Sequence, residues 1–391
     1  MRRRLTLVTL VTLVTLVTAV TLVTLVTFVT VAPLVTVAAV AASSSAPAKS
    51  PGAGAQGRGG GGARPEGRGA AGEESPRPLR PVHTYSIVAR DPATGEMGVA
   101  VQSHWFSVGS NVAWAEAGVG AVATQSFIDP SYGRDGLDLM RGGASAGEAL
   151  KTLLAKDGGR DVRQVAMVDA RGRVAAHTGA KCIEAAGDRA GANYSVQANM
   201  MANGRVWPAM ARAFESARGD LAERMLAALD AAQAQGGDIR GRQSAALVVV
   251  KGESSGRPWA DRLFDLRVDD HPEPLKELRR LVLLQRAYNH MNAGDAAVER
   301  KDNEGALREY AAAERLVPGN LEMVYWHAVA LANMNRVEEA LPLFRRVFAA
   351  DPNWRTLTPR LVKSGILPDD KRLIERILSA GRGGGGRRSR R

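Results

Sequence analysis

A chain of 391 residues with 45% hydrophobic and 24% charged side chains holds enough apolar material for two folded domains and tails. Its net charge of +12 is carried almost entirely at the flanks: Arg2, Arg3 and Arg4 contribute three, residues 43–81 a net three, and the segment from Arg382 five. With no aromatic side chains among those charges the sequence argues against nucleic acid as a partner, and the single cysteine, Cys182, excludes an internal disulfide and C-x-x-C metal spacing.

The chain opens with MRRRLTLVTLVTLVTLVTAV, a basic start followed by an uncharged run that reaches Lys49, with an A-x-A-like AVA at 39–41. Residues 1–42 read as an export signal. The run is longer than the ~7–15 residues of a usual signal core and exceeds the ~20 that span a bilayer, so an uncleaved membrane anchor is the alternative. Either way the rest of the chain is expected to be exported, periplasmic or extracellular. A start of translation further downstream would remove the segment. Residues 43–81 are rich in Gly, Pro, Ala and Ser without apolar periodicity, the composition of a flexible linker.

From Val82 the pattern changes. TYSIVARD and EMGVAVQS are strands joined by a Pro92–Gly95 turn, and NVAWAEAG and GAVATQSF form a second pair across Gly118. Their small residues suit sheets packed on both faces. Two helices follow, SYGRDGLDLMRGG and SAGEALKTLLAK, the second with a Ser145/Glu148 capping box. VRQVAMVDARGRVAAHTG is a hairpin turning at Ala170–Gly172, NYSVQANMM a strand, and 204–235 two helices parted near Gly219. SAALVVVK is an apolar central strand and DRLFDLRVDD alternates as a strand should. Blocks of strands and helices, rather than βαβ alternation, predict an α+β domain over 82–270 with layered sheets and helices outside.

After Pro272 the sequence reads as wholly helical to residue 380. Ala306 and Ala340, Leu307 and Leu341, Tyr310 and Phe344, and Pro318 and Pro352 are each 34 residues apart. That is the tetratricopeptide (TPR) period, with its small, aromatic and terminal-proline positions in place. A TPR-like helical domain is therefore expected over 271–380, leaning on the first domain because two units are short for a free solenoid. An Arg/Gly-rich tail, 381–391, completes the chain.

The stretches TYSIVARDPATGEMGVAVQSH, VDARGRVAAHTGAKC, YSVQANMM and GRQSAALVVV resemble the DUF1028 family, continuously from residue 83 to about 270. The resemblance implies an Ntn hydrolase-like four-layer α-β-β-α sandwich. In that superfamily a Ser, Thr or Cys opens the first strand, its free α-amine acting as base. By this match Thr84 would be nucleophile and base together. The chain departs from the pattern in two ways. More than eighty residues precede Thr84, so that only a cut after His83 frees its amine, and no lysine lies in 83–150 to act as a helper.

Other polar positions compete for the chemistry. Ser103 and His104 end the second strand, His104 as a candidate base. Asn199 would donate to an oxyanion through its amide. Candidate substrate contacts are Gln125, Ser126, Asp129, Tyr132 and Arg134, in a loop after a buried strand, and Gln243 and Ser244, which open the central strand beside Arg242. Arg134 would hold a carboxylate bidentately unless Asp129 or Asp135 neutralises it. His177 belongs to its hairpin, and Cys182 reads as a buried small hydrophobe. Without an HExxH, a Walker loop or a strand-borne G-x-G-x-x-G, neither a metal nor a cofactor is expected. The leading expectation is hydrolysis of an amide or related C–N bond in a small molecule or peptide. The alternatives are a non-catalytic ligand-binding sandwich whose TPR-like helices recruit a protein, and an envelope scaffold whose Arg-rich tail meets an anionic surface. A homo-oligomer is left open.

Overall fold

The computed structural model describes residues 84–380. The signal or anchor expected at 1–42, the linker at 43–81 and the tail at 381–391 lie outside the described residues.

Strands β1 (Thr84–Arg90) and β2 (Met97–Ser103) form the first hairpin. Its turn is set by the Asp91 carboxylate, which accepts the Ala93 N–H at 2.7 Å, and by Gly95 at φ 77°. A helical turn at Gly109–Val112 leads into β3 (Ala113–Glu116), paired with β4 (Gly120–Ser126). The predicted strand NVAWAEAG thus shrinks to its centre. Its start is taken by the helical turn, whose entry at Val108 is held by an N–H bond to Ser244 Oγ of 3.1 Å.

Helices α1 (Ser131–Arg141) and α2 (Ala146–Lys156) follow. The capping box forms: Ser145 Oγ accepts the Glu148 N–H at 3.2 Å while Glu148 accepts the Ser145 N–H at 2.8 Å. Strands β5 (Arg163–Asp169) and β6 (Val174–Thr178) make the expected hairpin. Next come β7 (Gly187–Gly191) and β8 (Tyr194–Ala198), α3 (Val206–Ser216) and α4 (Leu221–Ala234), then β9 (Ser244–Val250) and β10 (Arg262–Val268). Strand β7, GDRAG, has no β-branched or aromatic residue and gives no strand signal in the sequence.

Two antiparallel sheets result, in the orders β10-β9-β2-β1-β8-β7 and β3-β4-β5-β6. Val88, Val99, Val101 and Val248 of the larger sheet meet Ala121, Ala123, Ala166 and Val168 of the smaller. The opposite face of the larger sheet, with Tyr85, Ile87 and Leu247, packs on Met210, Phe214, Met225 and Leu229 of α3 and α4. Val122, Val165 and Met167 pack on Leu137, Met140 and Leu150 of α1 and α2. Strands buried on both faces have no polar side to show, which is why they read as runs of Val, Ala and Gly.

The C-terminal region is helical: α5 (Pro274–Glu299), α6 (Asn303–Leu316), α7 (Leu321–Asn333), α8 (Val337–Ala350) and, after short helical turns, α9 (Lys371–Ser379). Of the pairs spaced by 34, Ala306 and Ala340 on α6 and α8 are buried, as are Tyr310 and Phe344 one turn on, whereas Leu307 and Leu341 are half-buried and Pro318 and Pro352 are exposed. Helix α5 belongs to two cores. Leu275, Leu278 and Val282 complete the core under α4, whereas Ala287, Met291 and Ala297 pack with Ala306, Tyr310 and Met323. Arg279 and Arg286 fasten it to α4, at 3.2 and 2.6 Å from Glu223, Arg279 also pairing with Asp230 and Arg286 with Asp220. No helix among the described residues is long and apolar enough to cross a membrane.

The tight fit of β2 against β9 and under Met225 of α4 sets a test. A Cβ on Gly98 would stand 2.4 Å from the Val248 carbonyl oxygen, in backbone that has no room to yield. Gly98→Ala is expected to lower stability by about 1–3 kcal/mol, the usual cost of overpacking, as read from the urea unfolding midpoint.

Candidate active site

The side chains that share the parity of Val88 on β1 point into the space between the sheets. At one end of that space they become polar. Ser86 pairs with Gln197 across β1 and β8, and Gln197 with Asp188 across β8 and β7. Facing them on the other sheet, Gln125 pairs with Gln164 across β4 and β5, and Gln164 with Thr178 across β5 and β6.

Hydrogen bonds join the two rows. Ser86 Oγ donates to Gln125 Oε1 at 2.6 Å and accepts from Gln197 Nε2 at 2.6 Å. Gln125 Nε2 donates to Gln164 Oε1 at 2.7 Å, and Asn199 Nδ2 donates to the same oxygen at 2.8 Å. Gln164 Nε2 donates to Thr178 Oγ1 at 3.0 Å and to the Ala198 carbonyl at 3.0 Å, and Thr178 passes a bond to Asp188 at 2.5 Å. Ser86, Gln125, Gln164, Gln197 and Asn199 are fully buried. Such groups are tolerated away from water because they satisfy one another.

Thr84 stands, fully buried, at one end of this network. Its carbonyl accepts the Asn199 N–H at 3.1 Å and Gln125 Nε2 at 3.2 Å. The register sets Thr84 opposite Ser103, and Ser103 opposite Ser244, so three hydroxyl residues form a row over β1, β2 and β9. All three are buried. Ser244 is committed to the loop that follows β2, accepting the Val108 N–H and donating to the Trp105 carbonyl. His104 borders the row. Its N–H bonds the buried Asp238 carboxylate at 3.1 Å, while its ring Nδ1 is buried without a hydrogen-bond partner, beside Gly241. Asp238 also receives the Arg240 N–H and guanidinium, which pins the 238–241 loop over His104.

The remaining candidates divide. Asp129 and Tyr132 join a cluster around Arg163. Its guanidinium lies 2.8 Å from Asp157 and 3.8 Å from Asp129 and bonds the Phe127 carbonyl, while Tyr132 Oη donates to Asp157 at 3.1 Å. These contacts hold the 127–132 loop. Burial pushes the Tyr132 phenol well above its ordinary value, with Asp157 adding to the shift, so it stays protonated. Ser126 takes φ 69° and turns to the far side of its strand from Gln125, beside the Cys182 thiol. Burial pushes that thiol up, which fits an unreactive cysteine. Gln243 bonds Asp270 at 3.2 Å and ties its N–H to the Ser103 carbonyl at 3.1 Å, at the rim. Arg134 lies elsewhere, exposed on α1 in a cleft of about 350 Å³ with Trp114, Glu116, Arg262 and Asp265. His177 bonds the Arg160 carbonyl at 2.8 Å, in its hairpin surroundings.

The sequence reading missed Ser86, Gln164, Gln197 and Asp238. A signal was present: Thr84 and Ser86, then Ser195, Gln197 and Asn199, repeat at every second position in strands otherwise apolar on both faces. No group of three or more His, Cys, Asp or Glu among the described residues is placed to hold a metal ion.

Residues 84–278 match the model of a family of unknown function, DUF1028. The chain belongs to that family. It is similar to a DUF1028 protein from Silicibacter pomeroyi of known crystal structure, at 31% identity over 51% of this chain and 88% of that one, with a TM-score of 0.46. No curated protein matches the chain.

Two predictions follow from the geometry. Gln164→Leu strips partners from Gln125, Asn199 and Thr178 at once, and each buried group left unpaired costs about 1–3 kcal/mol. The variant is expected to lose at least about 2 kcal/mol in denaturant unfolding, whereas Arg134→Gln changes stability by less than about 0.5 kcal/mol. The second concerns pH. Burial raises the Asp157 carboxyl, but bonds from Arg163 and the Gly159 N–H outweigh it and hold the group below its ordinary value. A depressed folded value adds stability above the unfolded pKa of about 3.9 and loses it as pH falls through the folded one. The acid limb of the stability curve should therefore be shallower in Asp157→Asn than in the parent chain.

Proposed function

We propose that residues 84–270 form an Ntn hydrolase-like α-β-β-α sandwich that hydrolyses an amide or related C–N bond of a small molecule or peptide, with Thr84 as nucleophile. One observation carries this reading: Thr84 opens a central strand, with Ser103 and Ser244 in register beside it on the face turned to the second sheet. The helix pairs on the outer faces of the two sheets support the four-layer assignment.

A cut after His83 frees the Thr84 amine, whose pKa of about 7.7–8.0 suits a base at neutral pH. Thr84 Oγ1 attacks the carbonyl carbon and passes its proton to that amine. The C–N bond breaks as the proton moves to the leaving nitrogen. Water then attacks the Thr84 ester, yielding the acid and restoring the hydroxyl. Backbone N–H groups and the Asn199 amide hold the oxyanion, and the bond from Asn199 to Gln164 sets that amide's direction. Ser103 and His104 flank the attack. An export leader at 1–42, as the sequence suggests, would put this chemistry outside the cytoplasm.

The second reading is a sandwich that only binds its ligand, with TPR-like helices recruiting a protein. The burial of Thr84 favours it, as does the Gln125 amide turned onto Gln164.

Intact mass and N-terminal sequencing of the protein from its native compartment separate the two. A chain that begins at Thr84 is expected, and Thr84→Ala in that form should reduce hydrolysis of an amide library to background. A mature chain that retains residues before Thr84 has no free amine there, which eliminates this mechanism and leaves the binding reading.

A further inference from the structure

Far along the chain from the candidate active site, helices α5 and α7 enclose a groove of about 630 Å³. One face of α5 supplies Tyr288, Asp295 and Glu299, and one face of α7 supplies Glu322 and Trp326. Tyr310 of α6 lines it too, as does Ile366, 41% exposed and held by a 2.8 Å bond from Asn333 to its carbonyl. Three carboxylates line the groove and no Lys, Arg or His does, in a chain whose net charge is +12. Tyr310 donates to Asp295 at 2.7 Å and Tyr288 donates to Glu322, which fixes both carboxylates against the wall.

Carboxylates beside aromatic and apolar surface select arginine. The guanidinium pairs with the acid while lying on an aromatic face, and its methylene stem covers apolar floor. Lysine, a compact and strongly hydrated charge, uses such a surface less well.

We propose that this groove binds the chain's own arginine-rich segment, GRGGGGRRSRR at 381–391. The segment carries five Arg and no acidic residue. It leaves from an anchored point, since Arg376 of α9 pairs with Glu338 and the Ala380 carbonyl accepts from Arg345 at 3.3 Å. The reach is sufficient. Asp370 lies within about 14 Å of Ile366 along an extended chain, and the nine residues of α9 add about 14 Å. Arg387 to Arg391 stand seven to eleven residues past Ala380, which extended chain carries about 24–37 Å. Tethering supplies an effective concentration in the millimolar range, so contacts too weak to hold a free peptide suffice in cis.

The test titrates a fluorescent peptide of sequence 381–391 onto the full chain and onto a chain ending at Ala380. The truncated chain should bind it saturably, with affinity that falls as salt rises. The full chain should bind at least tenfold more weakly, because its own segment competes. A full chain with Arg387, Arg388, Arg390 and Arg391 replaced by Ser should behave as the truncated one, which guards against a truncation that disturbs α9. Glu299→Lys, at an exposed rim position, should abolish binding to the truncated chain. The proposal is overturned if the truncated chain does not bind, if full and truncated chains bind alike, or if Glu299→Lys changes nothing. Equal, tight binding to both of an unrelated arginine-bearing peptide would assign the groove to a separate partner instead.

Discussion

The two polar rows between the sheets set the terms for the rest of the sandwich. Ser86, Gln197 and Asp188 on one sheet and Gln125, Gln164 and Thr178 on the other are paired within their own sheets by register and joined across the gap by hydrogen bonds. A one-residue slip of any of these strands would turn a polar side chain away from its partners and leave buried amides unpaired without water. Hydrophobic contact between runs of Val and Ala is indifferent to such slips. The buried amides therefore select one alignment from several that would bury similar apolar area. The same alignment brings Thr84, Ser103 and Ser244 level and hangs the Thr84 carbonyl between Asn199 and Gln125.

The second organising element is α5. Its 26 residues run unbroken for about 39 Å, from the core shared with α4 to the core shared with α6 and α7. Half of it answers to the sandwich and half to the helical region, so the change in sequence character at Pro272 marks a change of secondary structure more than a joint. Arg279 is shared between two carboxylates of α4 and Arg286 between one of them and the helix's N-cap Asp220, an arrangement with more geometric definition than isolated surface pairs.

Much of the fold was legible in the sequence because its signals are local. The Ser145–Glu148 box, the Gly95 and Gly172 turns, the apolar run of β9 and the helical character of the chain beyond Pro272 all stand in the structure where the pattern placed them. What escaped depends on partners distant in the chain. Strand β7 exists because β8 pairs with it, not through any propensity of GDRAG. Gln164 gains its role from residues 34 and 39 positions away or more locally from Thr178, which no window of sequence displays. The 125–134 loop illustrates the converse: polar side chains gathered in sequence were scattered by the fold. Gln125 went to the sheet interface, Asp129 and Tyr132 to Arg163, and Arg134 to a separate cleft.

The borders of the sheets carry a consequence for self-association. Strand β7 is five residues long, with two glycines and the charged pair Asp188 and Arg189, and β3 has four residues. Strand β10 carries Arg262, Asp265 and Arg267 along its length. Short, charged or glycine-bearing margins make poor templates for another molecule's backbone. Three of the four sheet margins among the described residues are therefore guarded against extension by another molecule's backbone, whereas β6, VAAHT, is the one margin with neither a carboxylate, a Lys or Arg, nor a glycine to discourage the stacking to which Val- and Ala-rich strands are prone.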